Sequence, residues 1–129
     1  MSVNDQRIIS NADVKLEQNS TFVSLGNIIL QSGMRIDTTS TLLSSYIIVD
    51  QDYIVPINTT NNILTISLPS TISTTGRIII IVDVGGVLSS NNCIIDGKGK
   101  SINGSSTFVM TQNYMSITLW YNGTFWSMI

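Results

Sequence analysis

Few side chains in this sequence can do chemistry, and their spacing limits what each could do. Asp50 and Asp52 stand two apart. On a strand they would share a face, an arrangement that suits cation binding or acid–base work. No third carboxylate lies near them, and Asp50-Gln51-Asp52 reads more plainly as a solvated turn. Asp83 and Asp96 both precede glycine, in Asp83-Val84-Gly85-Gly86 and Asp96-Gly97, where an Asp side chain bonds its own turn. Gly97-Lys98-Gly99-Lys100-Ser101 has the residue types of a phosphate loop. It lacks that motif's first glycine and its following helix, so it reads as a hairpin turn. Cys93 is the single cysteine, and the chain has no His. An internal disulfide is therefore impossible, a reactive thiolate has no imidazole partner, and common zinc sites lack their ligands. Cys93 opens an apolar run and reads as a buried, inert thiol. Asn19, Asn58, Asn103 and Asn122 fit the glycosylation pattern, about as often as chance predicts in a chain so rich in Ser and Thr.

The aromatic residues are more informative. In the last hairpin Met115, Ile117, Leu119 and Tyr121 fall on one face of a strand, and Ser116, Thr118 and Trp120 on the other. Trp120 thus stands on the polar face. A large ring there is either a subunit-interface anchor or a ligand platform. As a platform, Trp120 would stack on a sugar ring while the Ser116 and Thr118 hydroxyls bond it. Trp126, on the final strand, reads as core. No catalytic residue, metal ligand or cofactor motif is assigned.

The elements that must position these residues are strands. Of 129 residues 43% are hydrophobic and only 11% charged. Ile occurs 21 times, while Glu17 and Ala12 are the only residues of their types. β-Branched residues suit a pleated sheet, and the good helix formers are scarce. The fold is therefore expected to be all-β. Strands are expected at 46–49, 53–57, 63–68, 77–82, 94–95, 108–110, 115–121 and 124–129. Four consecutive Ile within 77–82 suggest a strand covered on both faces. Asn122-Gly123 signals a type I′ turn. Turns every 8–12 residues point to an antiparallel β-sandwich or jelly roll over 46–129. Residues 1–45 show only short alternations, Val14/Leu16, Val23/Leu25 and Met34/Ile36. They read as a short β-stalk or linker in which chains wind together, or as ordinary strands under the main domain.

A net charge of −2 gives no electrostatic footprint for nucleic acid. No apolar run approaches the roughly 20 residues of a membrane span, so no membrane insertion is expected. No charged stretch followed by an apolar one opens the chain, so no secretory signal is expected. Lone β domains guard their edges with charges, and this chain has three Lys. Burial of faces and edges against copies of the same chain is the simplest remedy.

The order of signals from Tyr53 onward resembles the C-terminal head domain of viral and phage fibres and spikes. A strand ends in Ile66-Ser67-Leu68-Pro69. Gly76 opens the apolar run Arg77 to Val82, which leads into Asp83-Val84-Gly85-Gly86. Then come Asn92-Cys93-Ile94-Ile95 and Gly99-Lys100-Ser101-Ile102-Asn103-Gly104. The end is Tyr114-Met115-Ser116-Ile117-Thr118-Leu119 and Tyr121-Asn122-Gly123-Thr124-Phe125-Trp126. The resemblance implies a β-sandwich head on a homotrimer, made in the host-cell cytoplasm and displayed on the virion surface. Its role would be attachment to a host surface receptor, a glycan among the candidates, with no enzymatic activity. The N-terminal segment would join the head to a capsid or tail protein. The alternative is a monomeric, non-viral carbohydrate-binding β-sandwich. A hydrolytic tailspike fragment is a distant third.

Overall fold

In the computed structural model, residues 21–71 and 75–129 are described. The chain divides into two compact units, Met1–Met34 and Arg35–Ile129. Of the expected alternations in the first unit, Val14 and Leu16 lie outside the described residues. Over 21–34 the backbone forms no strand, and Ser24 makes a local turn by donating to the Gly26 carbonyl at 2.9 Å. Phe22, Val23, Leu25, Ile28, Ile29 and Leu30 are all exposed.

The second unit is all-β. Among its described residues there are eight strands, β1 (Tyr46–Ile47), β2 (Ile54–Ile57), β3 (Leu64–Ser67), β4 (Ile78–Asp83), β5 (Cys93–Asp96), β6 (Thr107–Met110), β7 (Ser116–Tyr121) and β8 (Trp126–Met128). They form two four-stranded sheets, β1-β3-β5-β6 and β2-β4-β7-β8. The expected antiparallel pairing is corrected here: both sheets are mixed. β1 and β3, β3 and β5, and β2 and β4 pair in parallel.

The reason lies in how the chain winds. From β1 to β5 each strand is followed by a strand of the opposite sheet, and the chain returns beside its own previous strand in the same direction. A parallel pair needs a crossover of about a dozen residues, usually a helix. In this helix-poor sequence a strand makes the crossover. An upstream segment joins the coil, with Thr38 bridging Ile54 and Leu42 bridging Ile57. Only after β5 does the chain reverse into antiparallel pairs, β5 with β6, β4 with β7 and β7 with β8.

The connection between β5 and β6 covers a sheet edge. Trp126 donates its amide to the Ser101 carbonyl at 2.9 Å, and Asn103 donates to the Trp126 carbonyl at 3.0 Å. The Asn103 side chain accepts from the Met128 amide at 3.0 Å. The free edge of β8 is thus paired by residues 101–103, the kind of protection an edge strand needs.

Alternation places the core between the sheets. Val55, Ile57, Ile66, Ile79, Ile81 and Leu119 are fully buried, with Trp126 against the tilted ring of Tyr121 at 5.1 Å. Each aliphatic side chain buried in this way stabilises by roughly 1.5–3 kcal/mol. β4 is covered on one face only: Ile79, Ile81 and Asp83 are buried, while Ile78, Ile80 and Val82 stay partly open. The four-Ile run therefore has an outer face that its own chain covers only in part.

Candidate functional site

Trp120, Thr118 and Ser116 lie together on the outer face of the β2-β4-β7-β8 sheet, while Ile117, Leu119 and Tyr121 are buried between the sheets. Cross-strand register defines their neighbours. Trp120 lies between Ile78 and Ser127, Thr118 beside Ile80, and Ser116 beside Val82. Ile54 adjoins Ile80 from the other side. The face is a nearly flat field of aliphatic side chains and hydroxyls around one ring, without a charged group. The opposite sheet's outer face is more mixed, with Asp96 and Thr107 beside Ile94 and Val109.

The carboxylates behave differently from one another. Asp50 is exposed, as a solvated turn requires. Asp52 departs from that expectation and is buried. It accepts from the Val49 amide at 2.8 Å and the Thr39 hydroxyl at 2.7 Å. Burial and the hydrogen bond to this carboxylate push the Tyr46 phenol up. Sequence spacing gave no sign of this, because Thr39 comes from a neighbouring turn of the coil. Arg77 holds the same turn from outside. Its guanidinium donates to the carbonyls of Val49, Asp50 and Asp52 at 2.9, 2.8 and 2.7 Å. A cleft of about 450 Å³ opens there, lined by Ile36, Asp37, Asp50, Gln51, Tyr53 and Arg77 among others. Arg77 spends its donors on the backbone, so the cleft offers an anion little. Among the described residues no three carboxylate or thiol side chains converge as metal ligands.

Asp96 and Asp83 both bond their own turns, as the sequence suggests. Asp96 accepts the Lys98 amide at 2.9 Å, and that bond holds its carboxyl below the usual range. Lys98 pairs with Asp96 at 3.3 Å, and Lys100 donates to the Ser70 carbonyl at 2.8 Å, so both lysines of the glycine-rich turn are engaged. Cys93 is buried. Burial, with the Asp83 charge second, pushes its thiol up to about 12.

Asp83 does more than close its own turn. Its buried carboxylate accepts the amides of Gly85 at 2.9 Å, Gly86 at 3.1 Å and Tyr114 at 2.8 Å. It thereby ties the end of β4 to the loop before β7. Tyr114 has a φ of 61°, in the left-handed region. For an L-residue this costs roughly 1–2 kcal/mol, and a bulky side chain there is an outlier. The Tyr114 ring rests on Gly86, whose φ is +70°, and a Cβ at Gly86 would overlap the ring. The sequence flags the glycines and Asp83, but nothing in it marks Tyr114, because the sign of φ at a tyrosine leaves no trace in residue type.

No protein-family model matches the chain, and no curated protein sequence matches it.

Proposed function

We propose that this chain is the head of a homotrimeric viral fibre or spike that attaches the particle to a host-cell surface receptor. The observation that carries the reading is the outer face of the β2-β4-β7-β8 sheet. Its central row of Ile78, Ile80 and Val82 is flanked by Ile54 and Trp120 and only partly covered by its own chain. Contiguous apolar surface, half-buried at the isoleucines and exposed at Trp120, is the kind that marks an interaction site. Isolated from charge, it suits a second copy of the same face or its neighbour. Trp120 then serves as an interface anchor. The exposed apolar residues of 21–34 point the same way, since sister chains would cover them in an intertwined stalk. The all-β two-sheet architecture agrees with the sandwich head that the sequence resemblance implies, and a jelly-roll-like head over 46–129 belongs to the same reading. Attachment by three linked copies raises avidity without new contacts. The virion surface is the location this role requires, with the N-terminal segment joined to a capsid or tail protein.

Light scattering on the purified chain tests the reading. The proposal expects about three times the 14.1 kDa chain mass at micromolar concentration. A single-chain mass favours a monomeric carbohydrate-binding sandwich instead.

A further inference from the structure

We infer that Tyr114 is the aromatic platform of a binding site for neutral glycans, at the end of the sandwich where three loops meet. The inference rests on the attachment reading and names the ligand class that such a head would bind. Tyr114 is 71% exposed, far more than Trp120 at 37%. Its ring is nevertheless held in place. The left-handed backbone aims the side chain outward, the buried Asp83 carboxylate fixes the Tyr114 amide, and bare Gly86 supports the ring from beneath. Strain of this sort persists where surrounding structure over-determines it, and such outliers cluster at functional sites. An exposed ring made rigid is suited to stacking, because little side-chain freedom is lost when a ligand lands on it.

The surroundings select the ligand. The loops around residues 58–62, 84–92 and 111–115 are tied together: Asn91 donates its side-chain amide to the Thr59 carbonyl at 3.0 Å, and Ser89 donates to the Asn113 side chain at 2.9 Å. Asn58 stands over Gly85, next to the glycine that carries the Tyr114 ring. Asn58 and Asn113 each use the side-chain oxygen internally. Their amide NH2 groups face the task of donating to ligand hydroxyls. None of the three loops contains Lys or Arg. A sialylated or sulfated glycan would find no cation there, whereas the apolar face of a neutral hexose or N-acetylhexosamine finds a ring and amide donors.

A printed array of neutral and acidic glycans, probed with the full chain, tests this. Wild type should bind at least one neutral glycan, with binding unchanged between 50 and 500 mM NaCl on the order-of-magnitude scale of salt effects. Tyr114→Phe should retain binding. Tyr114→Gly should lose at least about tenfold, yet melt no lower than wild type because it relieves the left-handed strain. Phe125→Ala, which removes an exposed ring from another loop, should bind normally. Binding by Tyr114→Gly equal to wild type overturns the inference, as does exclusive binding of acidic glycans or of none. A single-chain mass combined with Tyr114-dependent binding would keep this site and overturn the trimeric reading. A trimer without such binding would do the reverse.

Discussion

The Asp83 carboxylate is buried and holds three backbone amides, those of Gly85, Gly86 and Tyr114. A buried carboxylate that lost its donors would be costly, and buried amides that lost the carboxylate would be costly too. Asp83→Ala strands the amides of Gly85, Gly86 and Tyr114 together, so it should destabilise the fold by roughly 3 kcal/mol or more in urea titration at fixed protein concentration. Asp83→Asn keeps an acceptor and should cost less. Gly86→Ala combines a left-handed φ with overlap on the Tyr114 ring and should cost roughly 2 kcal/mol. A loss below experimental error in either variant would contradict the role given to this node. Cys93 gives a second prediction at this scale. Burial, with the Asp83 charge second, pushes its thiol from an ordinary 9.0 up to about 12 in the folded chain. The folded value is the higher one, so the neutral thiol's contribution is complete below about pH 9 and drains away as pH rises toward 12. Stability should fall over that window, and Cys93→Val should flatten the slope. At pH 8 a thiol reagent should react on the order of a thousandfold more slowly with the folded chain than with the unfolded one.

Turns and strands were legible to different degrees. All eight strands appear close to where alternation and apolar runs place them, and the inward and outward faces of β7 follow the period of two. Alternation reports which face is buried but not which strand lies alongside, so the parallel winding of β1 to β5 was invisible. Turn chemistry failed in an instructive way. Asn122-Gly123 joins two antiparallel strands as expected, yet only Gly123 has a positive φ. The Asn122 side chain accepts the Thr124 and Phe125 amides at 2.9 Å, which holds a longer loop in place of the two-residue type I′ turn. Positive-φ pairs stand instead at Lys98 and Gly99, with φ of 50° and 89°, where the Lys100 amide donates to the Gly97 carbonyl at 3.1 Å, and at Asn103 and Gly104, with φ of 47° and 86°, between the bridged residues Ile102 and Ser105. A Cβ at Gly104 meets nothing within 4 Å, so the cost of Gly104→Ala is conformational alone. It should be about 1 kcal/mol, whereas Asn103→Gly should change stability by a few tenths. A larger loss in the second variant would mean that the Asn103 bond to the Met128 amide carries more than the turn does. The outward placement of Trp120, Ser116 and Thr118 was legible because strand faces are. Tyr114 was not, because it depends on a backbone angle and on a carboxylate 31 residues away in sequence.

At the scale of the whole molecule the question is what covers its apolar surface. With 11% charged residues the chain has little to keep open sheet faces apart. The outer face around Ile80 carries no charge, and its register brings Ile54, Ile80 and Thr118 into one row across three strands. A charge at the centre of that row should disrupt packing between copies while leaving the inward core untouched. Ile80→Asp is therefore expected to keep the far-ultraviolet signature of the wild-type sheets and to lose assembly. The most direct test is sedimentation equilibrium of both proteins across a tenfold concentration range. The account predicts a mass near three chains for wild type and near one for Ile80→Asp. A wild-type protein that sediments as a stable single chain at every concentration, indistinguishable from the variant, would contradict it.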